Sequence, residues 1–141
     1  IKIIKTADFS EAGKKGKIED IDIWPDYLKH IFSFVNIDKV KPFRVIVDAG
    51  NGMAGKVIPL LSEKLPVNII PLNFNLDGNF PAHPSNPLAK GAADQVSRAV
   101  KENKVDFGFI FDGDADRIFL IDESGNLIGG DVTVLLLAKY F

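Results

Sequence analysis

Asp112, Asp114 and Asp116 occupy alternate positions, separated only by Gly113 and Ala115 and followed at once by Arg117. Three carboxylates so close would repel one another at the kilocalorie scale once solvent is partly excluded. A divalent cation removes that repulsion. Hard oxygen ligands with small spacers suit Mg²⁺, which takes few protein carboxylates and keeps positions for water or phosphate oxygens. The apolar run Phe107–Phe111 leads into the cluster and Ile118–Ile121 leads away, so the spacing predicts strand, acidic loop, strand.

Other chemistries fit part of this pattern. An EF-hand places acids at loop positions one, three and five, and Glu123 falls at position twelve. Its sixth residue, however, must be Gly for the turn and here is Arg117, and the flanks are β-rich. A Mg²⁺-dependent phosphatase with Asp112 as an aspartyl nucleophile matches an apolar strand ending in Asp-x-Asp, but that pattern wants Thr or Val in the place of Asp116. An acidic, solvated turn explains the glycine and one aspartate, not three aspartates followed by Arg. A non-enzymatic cation-binding domain stays open beside these.

The elements that must position the cluster are those of one ordinary domain. With 141 residues the chain can bury a real core, and 46% apolar and 26% charged residues exclude a disordered chain. A formal net charge of −2 with scattered Lys and Arg argues against nucleic acid or an anionic membrane surface as partner. The absence of cysteine leaves neither a disulfide framework nor a thiolate metal site and fits a reducing cytoplasm. No apolar run approaches the roughly 20 residues of a membrane span, and Ile1–Ile4 is too short for a signal peptide. The chain lacks an initiator Met and stops at Phe141 in a helical pattern without a C-cap signal, which reads as a piece of a longer protein.

Residues 1–22 read as a linker or tail from a preceding domain, with one short strand at its start, and 23–141 as a single metal-binding domain. Apolar spacing predicts an amphipathic helix from Trp24 to Asn36, with His30 on its surface. A strand over Phe43–Asp48 follows, then a Gly-rich turn whose spacing is not that of a dinucleotide site, and a helix over Lys56–Leu65 that starts late or kinks at Pro59. Val67–Leu72 is a second strand, parallel to the first by the right-handed crossover rule. The polar connection Asn73–Pro87 holds His83, expected to be solvated or to make a rim contact, and no role is assigned to it. Leu88–Lys104 is the next crossover helix. Glu123–Asn126 forms a short turn before Leu127–Ile128, and Asp131 is the expected N-cap of a final helix. The sum is an α/β fold, a three-layer α/β/α sandwich on a mostly parallel mixed sheet with an antiparallel strand near the C-terminal end. In such sheets ligands bind beyond the carboxyl ends of the strands, where the Gly-rich turn and the acidic loop both lie.

Val47-Asp48-Ala49-Gly50-Asn51-Gly52, Asp77-Gly78-Asn79-Phe80-Pro81 and above all Asp112-Gly113-Asp114-Ala115-Asp116-Arg117 followed by Gly129-Gly130-Asp131 resemble the second domain of the α-D-phosphohexomutase superfamily. This family comprises the phosphoglucomutases, phosphomannomutases and phosphoglucosamine mutases. The resemblance implies a cytoplasmic, four-domain isomerase that moves a phosphoryl group between the 1- and 6-positions of a hexose phosphate through a bisphosphorylated intermediate. It implies a phosphoserine from another domain of the parent chain as donor. By position, Asp112, Asp114 and Asp116 would hold Mg²⁺ and Arg117 would contact phosphate oxygens. The family's serine, sugar-recognition and terminal phosphate loops have no counterpart in these residues, so the chain alone is expected to be inactive. The sequence His83-Pro84-Ser85-Asn86 departs from the commoner family pattern.

Overall fold

The computed structural model describes residues 13–141. The short strand expected at the very start lies outside the described residues, and residues 13–23 carry no helix or strand.

The first helix, α1 (Trp24–Phe32), starts where Pro25 presets the helical backbone and Asp26 places negative charge in the first turn. It ends four residues before Asn36. The Ser33 hydroxyl donates to the His30 carbonyl at 2.7 Å, and Asn36 accepts from the Asp38 amide to open a separate 3-10 turn over Ile37–Lys39. Short polar side chains that bond nearby backbone thus win over the apolar periodicity.

Four strands follow: β1 (Arg44–Asp48), β2 (Asn68–Leu72), β3 (Phe107–Phe111) and β4 (Ile118–Ile121), in the spatial order β2-β1-β3-β4. β1 runs parallel to β2 and β3, while β4 is antiparallel to β3, with Phe111 opposite Ile118. Three further helices complete the layers: α2 (Ala54–Ser62), α3 (Asp94–Asn103) and α4 (Gly130–Tyr140). The expected mixed sheet with its antiparallel strand near the C-terminal end is what forms.

Val96 and Val100 of α3 pack on Ile46, Ile110 and Ile121, all fully buried. Gly108 lets α3 come this close, since a Cβ there would stand 2.8 Å from the Val100 side chain. On the other face Val45, Val47 and Phe109 meet Ile58 and Leu61 of α2 around an apolar cavity of about 300 Å³.

Three helix starts also differ from the sequence expectation. α2 spans Ala54–Ser62 rather than Lys56–Leu65, with Pro59 in its interior. α3 begins at Asp94, not Leu88, because residues 86–93 form turns, with the Asn86 side chain accepting from the Leu88 amide and Gly91 in the left-handed region at φ +83°. Gly129, not Asp131, is the N-cap of α4, since its extended backbone (φ −61°, ψ 146°) is the cap conformation. Asp131 lies in the first turn and makes no capping bond. Among the described residues no helix is long and apolar enough to cross a membrane.

Candidate metal centre

β1 and β3 are parallel neighbours, so Asp48 and Phe111 deliver the chain to the same sheet edge. From β1 the chain goes out to β2 on one side, and β3 lies on the other side. The loops leaving β1 and β3 therefore flank the point where strand order reverses, the position at which open α/β sheets bind ligands.

Asp112 follows β3 directly and is 1% exposed. Its backbone N–H donates to the Arg117 carbonyl at 3.2 Å, closing the loop against the start of β4. Between these ends Ala115 adopts φ +63°, a left-handed conformation that costs a non-glycine residue energy. The resulting curl turns alternate side chains toward one another, and carboxylate oxygens of Asp112, Asp114 and Asp116 all lie within 4.8 Å of one another. Oxygens across an octahedral Mg²⁺ stand about 4.2 Å apart, twice the usual bond length. The donor set is therefore all oxygen and near the required spacing, with two of its three members exposed and free to close by small rotations. It fits the ion.

Arg117 is tied to the same carboxylates. Its backbone N–H donates to Asp112 Oδ1 at 3.1 Å and its Nε to Oδ2 at 2.7 Å, while Asp116 Oδ1 lies 3.4 Å from that Nε. Burial pushes the Asp112 carboxyl up, but the Arg117 amide and guanidinium together outweigh it and hold the group below the usual carboxylate range. Asp112 is thus a buried acceptor with both oxygens engaged by Arg117. The strands on both sides of the loop, in turn, exclude the helix-flanked EF-hand. The Arg117 side chain is 55% exposed.

Two other loops support the acidic one. After β1, Gly50 (φ +54°) and Asn51 (φ +60°) make a left-handed turn closed by the Gly52 amide to the Ala49 carbonyl at 2.7 Å. The expected structural turn is what forms, and it touches the acidic loop. The Met53 amide donates to the Gly113 carbonyl at 3.0 Å, and a Cβ on Gly52 would stand 2.5 Å from that oxygen. The long connection between β2 and α3 closes over both. Asn51 bonds to it four times, accepting from the Ala82 and Asp77 amides and donating to the Asn73 and Asn75 carbonyls. Phe80 rests on Gly113, where a Cβ would lie 2.9 Å from the ring.

Sequence reasoning brought Asp112, Asp114, Asp116 and Arg117 together correctly in space but misplaced His83. The His83 side chain is not solvated: it is 6% exposed, and its Nε2 lies 3.3 Å from Oδ2 of Asp48, which is fully buried. The signal that could have found this pair is a carboxylate closing an otherwise apolar, buried strand, which must have a partner. His30, by contrast, is exposed on α1, as expected.

Comparison with known proteins extends this picture. Residues 25–125 match the family described as phosphoglucomutase/phosphomannomutase, alpha/beta/alpha domain II. The chain is similar to a phosphomannomutase of Vibrio cholerae, 39% identical over 95% of this chain and 30% of the relative. It is also similar to a phosphomannomutase/phosphoglucomutase of Pseudomonas aeruginosa, 40% identical over 88% of this chain and 26% of the relative. A crystal structure of a phosphoglucomutase/phosphomannomutase family protein from Burkholderia thailandensis superimposes with a TM-score of 0.82 at 31% identity, over 99% of this chain and 30% of that one. The chain thus spans less than a third of the length of these relatives.

Proposed function

The chain belongs to the phosphoglucomutase/phosphomannomutase family through its α/β/α domain II, and from that premise we propose that it is the metal-holding domain of a phosphosugar mutase. Asp112, Asp114 and Asp116 would ligate Mg²⁺, and Arg117 would bind phosphate oxygens with the guanidinium N–H groups that Asp112 does not use. The observation that carries this reading is the convergence of three carboxylates and an arginine on one curled loop at the sheet edge. Bound there, Mg²⁺ would supply positive charge against the phosphoryl group in flight. The residues of this chain then do three things. The aspartates fix the cation, Arg117 orients phosphate, and the two supporting loops hold the acidic loop in one shape.

The rest of the reaction belongs to other domains of the parent protein. On this proposal they bring a phosphoserine and the hexose phosphate, and the phosphoryl group moves between the 1- and 6-positions. Phosphoryl transfer relies mostly on positioning and charge neutralisation, so this chain by itself is inactive. The absence of cysteine suits a cytoplasmic setting.

The experiment is phosphoryl exchange between glucose 1-phosphate or mannose 1-phosphate and the 6-phosphates, using the parent protein and its Asp114→Asn variant. Mg²⁺-dependent turnover that falls at least about 10²-fold in the variant is expected, the scale of losing one charge-stabilising group. Undiminished turnover in the variant, or an aspartyl phosphate trapped on Asp112, would contradict the proposal.

A further inference from the structure

Asp48 and His83 lie outside the acidic loop, and both are more than nine-tenths buried. Asp48 Oδ1 is fully served, accepting from the Gly50 amide and from Asn73 Nδ2, each at 2.9 Å. Oδ2 faces only the imidazole. On the histidine, Nδ1 stands 2.9 Å from the Pro84 carbonyl. A carbonyl oxygen cannot donate, so this contact requires a hydrogen on Nδ1. In a neutral ring Nε2 would then be a bare acceptor pointing at a bare carboxylate oxygen, and these two atoms are buried with no other partner. Two buried acceptors facing each other at 3.3 Å repel. One added proton between them turns repulsion into a charge-assisted bond. Whether it rides on nitrogen or on oxygen, the pair holds one proton more than a neutral imidazole and a carboxylate. Among the described residues no lysine, arginine or second carboxylate pairs with either side chain: the facing groups are the Gly50 and Asn73 amides and the Pro84 carbonyl.

We propose that Asp48 and His83 share one bridging proton and that this buried bridge fastens the 73–87 loop to the end of β1, making both residues positioning residues for the acidic loop. The path to that loop is short. The bridge holds His83 against Gly50, where a Cβ would meet the ring at 3.0 Å. The same loop carries Phe80 onto Gly113, and the turn after Gly50 hands the Met53 amide to the Gly113 carbonyl. Releasing the bridge frees the surface against which Gly113, between two of the three carboxylates, is packed. The proton assignment stands on geometry alone, and the effect on metal binding rests on the metal reading above.

The test uses this chain as wild type, Asp48→Asn, His83→Gln and His83→Ala. ¹⁵N-resolved NMR of the His83 ring at neutral pH should find a hydrogen on Nδ1 and the bridging proton at Nε2 in the wild type. In Asp48→Asn the amide can donate to Nε2 without any added proton. The bridging proton should therefore vanish while exchange of the Asp77 and Ala82 amides stays slow. His83→Ala should speed that exchange at least about tenfold and weaken Mn²⁺ binding about 10- to 100-fold, the effect expected when an orienting group behind metal ligands is lost. His83→Gln, whose amide can donate to Oδ2, should recover part of both. A wild-type ring without a hydrogen on Nδ1, or a pair with no proton shared between His83 Nε2 and Asp48 Oδ2, would overturn the bridge. Unchanged amide exchange in His83→Ala would overturn the fastening. Should no variant, wild type included, bind Mn²⁺, the metal reading fails while the ring and amide measurements still decide the bridge.

Discussion

Asp48 and Asp112 close neighbouring parallel strands at the same sheet edge, and both are buried. Asp112 is satisfied from within its own loop, by the backbone and side chain of Arg117 five residues away. Asp48 takes one local bond, from the Gly50 amide, and is otherwise satisfied from a distance, by Asn73 and His83 on a connection that enters only after another helix and strand. The difference separates two uses of a buried carboxylate. A local partner that is half exposed leaves the group able to join a cation site with Asp114 and Asp116. A remote, buried partner, His83, turns the group into a fastener. A candidate cation ligand and a scaffold residue thus sit at the same edge of adjacent strands.

Mutations can break this contrast. Removing Asp48 leaves His83 buried without its partner, so Asp48→Ala should destabilise the chain by about 3–5 kcal/mol in urea denaturation, the usual result of breaking a buried pair. A loss below about 1 kcal/mol would show that the two sites do not differ in this way. Gly113→Ala should cost about 1–3 kcal/mol by overpacking against Phe80, and a second substitution, Phe80→Leu, should relieve part of it. Arg117→Met should cost little stability, because its side chain is 55% exposed. It should nevertheless raise the Asp112 pKa toward the ordinary range in an NMR titration, the Arg117 amide limiting the rise. The smallest effect lies at the β4 turn. Asp122 is held below the usual carboxylate range by the Asn126 amide, then by the Asn126 side chain. A depressed folded pKa adds stability above the unfolded value, about 3.9, and that stability is lost as pH falls through the lower folded value. Asn126→Ala should weaken the dependence in that acid window, with no change near neutral pH.

What the sequence made legible follows the same division. The acidic cluster, its flanking strands and its sheet edge could be read directly, because three carboxylates within five residues and an apolar run on each side need no tertiary information. The parallel pairing of β1 and β2 followed from crossover handedness. Helix ends were misread where a local side chain or backbone decided them: Ser33 stopping α1, Gly91 delaying α3, Gly129 replacing Asp131 as the cap. The partner of Asp48 could not be read at all from spacing. His83 stands 35 residues away in a polar, proline-rich segment, and composition there signals solvent. Only the fold, by bringing that segment across the switch point, reveals that its histidine is interior.

Electron paramagnetic resonance of Mn²⁺ titrated into this chain tests the central claim most directly, because it needs neither the other domains nor a substrate. The account predicts one saturable site in the wild type, lost in the Asp114→Asn, Asp116→Asn double variant and retained in Asp122→Asn, whose carboxylate lies at the other end of β4. Equal Mn²⁺ binding in all three proteins, or a site lost only with Asp122, would contradict a metal centre on the acidic loop.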